Sequence, residues 1–213
     1  MSRYPKEWES NLLTDSNLST ILGSELINEL RELHNAQGRF YHNWDHALDV
    51  LRATLLLPLP RKELTVCAIA AVFHDVIYSY GREDNESNSA VFLKSFEHLP
   101  RQLVVAAVPL ILATSTHLVS SVKNTSPLER DFLDCDILTI ASPHWPIAKG
   151  YDDAIFDEAI AAGNTPEQVV VGRRKFLETM LAKPMILLGR YYGSTNEWQA
   201  RANIQRLVTH HAR

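Results

Sequence analysis

R-K-E-L-T-V-C-A-I-A-A-V-F-H-D-V-I-Y, residues 61–78, decides the fold. Residues 66–73 are apolar without interruption, and a helix apolar on most of its sides is a helix buried on most of its sides. The pattern predicts a central helix running to about residue 80, where Gly81 breaks it. At 1.5 Å per residue the apolar run is far too short to span a membrane. At its far end it carries a histidine and an aspartate side by side, His74 and Asp75.

Outward from this segment, no stretch alternates at period two for long, whereas helical spacing recurs throughout. Leu22, Leu26, Leu30 and Leu33 share one face of a helix over residues 19–35. A second helix starts near Asn43 and stops at Pro58 and Pro60. A polar segment with Asp84, Asn85 and Glu86 opens the next, through residue 96. Residues 102–116 form another, with Pro109 as a kink. Ser126-Pro127-Leu128-Glu129 is a capping box with proline in the first helical position, opening a helix that carries Asp131, Asp134 and Asp136. Further helices follow over residues 145–162 and from Thr165 to before Pro184, with a capping box at Ser194 starting the last. The expectation is an all-α chain forming one domain over residues 1–213. Its motif-bearing core spans about 39–140, with C-terminal helices over about 145–210 packed on it.

The composition is 46% hydrophobic and 22% charged, with 21 Lys and Arg against 25 Asp and Glu. There is no basic excess to hold a nucleic-acid polymer. Two cysteines, Cys67 and Cys135, lie in apolar stretches and read as buried thiols of a reducing compartment. The opening M-S-R-Y-P-K-E-W-E-S has no apolar signal core. These features predict a cytoplasmic protein with no membrane association.

Three groups of residues can do chemistry. Y-H-N-W-D-H, residues 41–46, places His42 and His46 four apart, the spacing that aligns side chains on one helix face. His74 and Asp75, on a buried helix, are costly to desolvate without compensation, and a divalent cation satisfies both. Downstream, His117 follows an apolar helix, and Asp134 and Asp136 sit two apart in an apolar frame. Residues two apart on a helix diverge by about 200°, so one of the two faces the site while the other supports it. His34, His98, His144, His210 and His211 lack such context and read as surface or core histidines. Tyr41, Trp44 and Tyr78 read as packing residues.

The order His46, His74-Asp75 and a late Asp in an apolar helix resembles the HD-domain superfamily of metal-dependent phosphohydrolases. The resemblance implies an all-helical HD-type domain with His46, His74, Asp75 and Asp136 as metal ligands. Asp136 is preferred to Asp134 because C-D-I-L is similar to the superfamily's small-residue–Asp–x–Leu pattern. Y-H-N-W-D-H-A more distantly resembles a segment of cyclic-nucleotide phosphodiesterases, which implies His42 as proton donor. The H-D-x-x-H segment of those enzymes is missing, since V-I-Y follows Asp75. The whole set is more similar to a bacterial family of predicted HD phosphohydrolases. It comprises Y-H-N-x-x-H, F-H-D-x-x-Y, D-N-E-x-x-S, T-x-H, D-x-D, a late G-R at Gly172-Arg173 and a terminal A-R-x-N through Asn203, over about residues 39–205.

That resemblance implies hydrolysis of a phosphate ester of a small molecule, a nucleotide first, by hydroxide formed on the metal. The metal is Mn, Mg, Zn, Fe, Co or Ni. His42 is the candidate general acid. Asp75 is also placed to orient the nucleophile, and Glu86 to accept its proton or support a ligand. His117 is either a phosphate-facing donor or the ligand of a second metal. Arg39 and Arg173 are the candidate phosphate clamps, since guanidinium matches phosphate bidentately. Two other readings are a metal-containing nucleotide-binding regulatory module without turnover and an HD-type di-iron oxygenase.

Overall fold

A computed structural model describes residues 5–211. The first four residues of the stretch read for a leader, and the last two of the chain, lie outside them. Among the described residues every regular element is helical, with ten α-helices and two short 3-10 turns. Contacts divide the chain into two compact units, one through Ser115 and one from Thr116. Among the described residues no helix is long and apolar enough to cross a membrane.

The first unit holds α1 (Lys6–Asp15), α2 (Leu18–His34), α3 (Trp44–Leu55), α4 (Arg61–Phe73), α5 (Asn85–Lys94) and α6 (Arg101–Ala113). Helix α4 is the expected central one. All nine residues from Thr65 to Phe73 are buried, and α4 packs against α2, α3, α5 and α6. It ends at Phe73, seven residues short of the sequence expectation. The cause is tertiary. Beyond Phe73, side chains from other segments take the backbone groups that a helix would use. Ser89 Oγ accepts from Ile77 N–H, and Asn85 Oδ1 accepts from Ser79 N–H. Arg39 donates to the carbonyls of Asp75, Val76 and Tyr78. The Asp84-Asn85-Glu86 segment thus begins α5 and also ties down the turn that precedes it.

Helix α1 has no counterpart in the sequence expectations. Its Glu9 is buried and accepts from Trp44 Nε1–H at 3.0 Å and from the Arg31 guanidinium, so one carboxylate joins α1 to α2 and α3. His34, at the end of α2, is fully buried. Its Nε2–H donates to Val72 O at 3.1 Å, while Nδ1 has no hydrogen-bond partner among the described residues. Burial lowers its pKa to about 3. A histidine that stays neutral when folded but protonates near pH 6.5 when unfolded contributes stability that is complete above pH 6.5. That contribution is lost as pH falls towards 3, by up to about 1.4 kcal/mol per pH unit. Urea unfolding of His34→Gln at pH 7.5, 5.5 and 4.5 is expected to show a flatter acid limb than the native chain. Parallel profiles would refute this.

The second unit contains α7 (Pro127–Ile137), α8 (Trp145–Ala161), α9 (Pro166–Ala182) and α10 (Tyr192–His210), with a 3-10 turn at Leu138–Ala141. The capping box at Ser126 forms as expected, and Thr165 makes another with Gln168. The box expected at Ser194 does not form. Helix α10 begins at Tyr192, and the Glu197 carboxylate instead accepts from Ile186 and Leu187 N–H. Asn203 on α10 donates to Ile140 O and Ser142 O, holding the turn after α7. Arg201 donates to the carbonyls of Leu181, Lys183 and Pro184. The A-R-x-N motif is therefore a pair of backbone clasps.

Candidate metal centre

In the first unit two segments meet at the end of α4. Asn43 caps α3: its side chain accepts from His46 N–H at 3.2 Å, while its amide donates to Phe40 O. This cap puts His46 in the first turn of α3 and leaves His42 just outside the helix. His42 and His46 therefore do not share a helical face as their spacing suggests, although their rings lie 5.9 Å apart, edge to face. His74 follows the last residue of α4 in helical conformation.

The donor atoms converge. His74 Nε2 lies 3.2 Å from His46 Nε2 and 3.0 Å from Asp75 Oδ2, and His46 Nε2 lies 3.6 Å from the same oxygen. All three residues are buried. His74 Nδ1 lies 3.0 Å from Ala71 O, so Nδ1 carries the proton and Nε2 presents a lone pair. Ligating histidines are oriented in the same way by a hydrogen bond from their other nitrogen. Two ligand atoms at about 2.1 Å from one cation, at tetrahedral or octahedral angles, are about 3.0–3.4 Å apart. The spacings around His74 Nε2 fall in that range. His46 and His74 also belong to a His/Asp group that could hold a metal ion.

His42 and Tyr78 stack at 4.0 Å with their rings 23° from parallel, and Tyr41 lies 4.4 Å from the His46 ring. Glu86 stands half-buried in the first turn of α5. Arg39 is not displayed as a phosphate clamp. Its terminal nitrogens donate to four backbone carbonyls, of His42, Asp75, Val76 and Tyr78.

The second unit brings His117 and Asp136 together, with Nε2 and Oδ2 2.8 Å apart. Lys183 donates to the carbonyl of His117. The two aspartates of D-C-D divide as helical geometry requires. Asp134 Oδ1 and Oδ2 accept from the backbone N–H of Leu188 and Gly189 at 2.6 and 2.9 Å. Burial pushes its carboxyl up to about 7, against the lowering effect of those two N–H groups. Asp131 accepts from Arg190 N–H and from its guanidinium. A Cβ on Gly189 would stand 2.8 Å from Asp134 Oδ2 and 2.9 Å from Asp131 Oδ1, so only glycine fits between the carboxylates. The G-R pair engaged with this cluster is Gly189-Arg190, which the sequence reading passed over. Its signal was a glycine closing the apolar run at residues 185–188.

Arg173 is likewise internal. It is buried and donates from Nε and a terminal nitrogen to Asp152 Oδ1 at 3.0 and 2.7 Å. His211 Nε2 meets the other Asp152 oxygen at 2.5 Å. The charge of Arg173 is matched within the unit, which gives the expected phosphate-clamp role no support.

Compared with models of known families and with curated proteins, the chain matches none.

Proposed function

We propose that this chain is a divalent-metal-dependent phosphohydrolase cleaving a phosphate ester of a small molecule, with nucleotides as the first substrate class. The observation carrying this reading is the convergence of His46 Nε2, His74 Nε2 and Asp75 Oδ2, with the His74 tautomer set by Ala71. In this reading Asp136 is the fourth ligand, because both oxygens of its neighbour Asp134 already accept backbone N–H. A bound divalent cation supplies Lewis acidity and a water acidic enough to ionise near neutral pH.

The chain's own groups do the rest. Asp75 orients the attacking water. His42 delivers a proton to the leaving oxygen, its ring held against Tyr78. Glu86 takes up the water's proton, and His117 either faces the phosphoryl group or serves a second metal. The two buried thiols, Cys67 and Cys135, neither of them in a disulfide, support a cytoplasmic setting.

The test loads chelator-stripped protein separately with Mn, Mg, Zn, Fe, Co and Ni. Each form is offered mono-, di-, tri- and cyclic nucleotides and an aryl phosphate. Metal-dependent hydrolysis is expected, reduced about 10²–10⁴-fold in His42→Ala at unchanged metal content. Full metal content with no product from any substrate would overturn the reading. Saturable nucleotide binding under those conditions would replace it with a regulatory module, and oxygen consumption by the iron form with an oxygenase.

A further inference from the structure

We propose that Arg39 is a positioning residue: its guanidinium clasps the His42 loop to the Asp75–Tyr78 segment and, through Tyr78, sets the orientation of the His42 imidazole. The inference deepens the function proposed above and rests on it for the roles of His42 and Asp75.

The geometry assigns each end of the guanidinium a task. One terminal nitrogen donates to His42 O at 3.2 Å and to Asp75 O at 2.8 Å, bridging the two motif segments. The other donates to Val76 O at 3.0 Å and Tyr78 O at 3.4 Å, following the chain beyond Asp75. These carbonyls lie where α4 has stopped, and Arg39 supplies donors to them in place of the next helical turn. The guanidinium carbon also lies 5.5 Å from the centre of the Tyr78 ring. The same ring stacks on His42 at 4.0 Å. Arg39, Tyr78 and His42 therefore form a layered unit, and its backbone contacts fall at the two residues whose side chains have to face each other across the site.

A planar fork with fixed N–H directions can bridge two chain segments, whereas a lysine ammonium is a single point of charge on a flexible stem. A phosphate clamp would need terminal N–H groups directed at solvent. Here both terminal nitrogens donate to the chain.

The first readout is independent of activity and metal: histidine-selective NMR of metal-free protein. Stacking on Tyr78 shifts the His42 ring protons by ring current. Arg39→Lys and Tyr78→Leu are expected to move the His42 signals, while Tyr78→Phe, which keeps an aromatic face, leaves them near their native positions. His98, which lies edge-on to Phe96, is the internal control. His42 signals unchanged in Arg39→Lys would overturn the proposal, whatever Tyr78→Leu shows. If Arg39→Lys unfolds, Arg39→Gln takes its place with the same expected shift and the same overturning result.

The second readout is Mn²⁺ affinity, expected to fall 10–100-fold in Arg39→Lys, the range for residues that orient metal ligands. Unchanged affinity would count against the clasp. With a turned-over substrate, Arg39→Lys is expected to lower kcat with KM little changed. A raised KM at native kcat would overturn positioning in favour of direct phosphate binding. Absence of turnover removes the proposed function without touching the NMR result, so the two failures are distinguishable.

Discussion

His74→Ala is expected to weaken divalent-metal binding by more than about 100-fold, since residues that merely orient ligands already contribute 10–100-fold. His74 Nε2 is the donor nearest the other two, 3.2 Å from His46 Nε2 and 3.0 Å from Asp75 Oδ2. Its lone pair is exposed to them because Nδ1 is held by Ala71 O. Truncation leaves His46, Asp75 and Asp136 of the four proposed ligands, a set that holds a cation more weakly. The effect is also readable as stability. A ligand at 100 times its dissociation constant stabilises the folded state by about 2.7 kcal/mol. For a chain of this length that corresponds to about 5–10 °C in Tm. The native protein is expected to lose that increment on chelation, and His74→Ala to show no increment to lose. Calorimetry with and without chelator, beside elemental analysis, checks both. An equal metal-dependent rise in the variant would remove His74 from the site.

Asp134→Ala is expected to be the most damaging single change to folding, costing about 3–5 kcal/mol in urea unfolding. Each buried N–H left without an acceptor costs about 1–3 kcal/mol, and Asp134 serves two, those of Leu188 and Gly189. Asp134 is 1% exposed, so water does not replace it. Gly189→Ala attacks the same cluster by crowding. Its Cβ would come within 2.8 Å of Asp134 Oδ2 and 3.0 Å of the Asp131 Cα, backbone that cannot swing aside. About 2–3 kcal/mol is the expected cost, at the upper end for overpacking. The isosteric Asp134→Asn keeps one acceptor and is expected to be milder, with metal content intact. Asp136→Asn is expected to keep the fold and lose metal. Reversal of that last pair would exchange the roles of the two aspartates.

Much of the fold was legible. The uninterrupted apolar run before His74 announced a helix surrounded by others, and α4 is one. The Ser126 box and the Thr165 start were legible because their capping bonds are local, closing within three residues. The same grammar failed at Ser194, where Glu197 has distant partners at Ile186 and Leu187. It failed again after Phe73, where a donor at residue 39 and acceptors at residues 85 and 89 override the continuing apolar pattern. Helix α1 escaped notice because Glu9, not an apolar stripe, docks it.

In the candidate site, residue types were legible and their company was not. The adjacency of His74 and Asp75 is covalent, so the sequence alone determined that an imidazole and a carboxylate would be buried together at the end of a hydrophobic helix. Spacing likewise determined that Asp134 and Asp136 would point different ways. Only the tertiary structure decided which arginines are engaged internally. Arg39 is held by four carbonyls and Arg173 by Asp152, and both partnerships join residues 3–39 positions apart. A charged side chain reads the same in a sequence whether it faces solvent or a buried partner. The difference lies in desolvation, which depends on what the rest of the chain places around it.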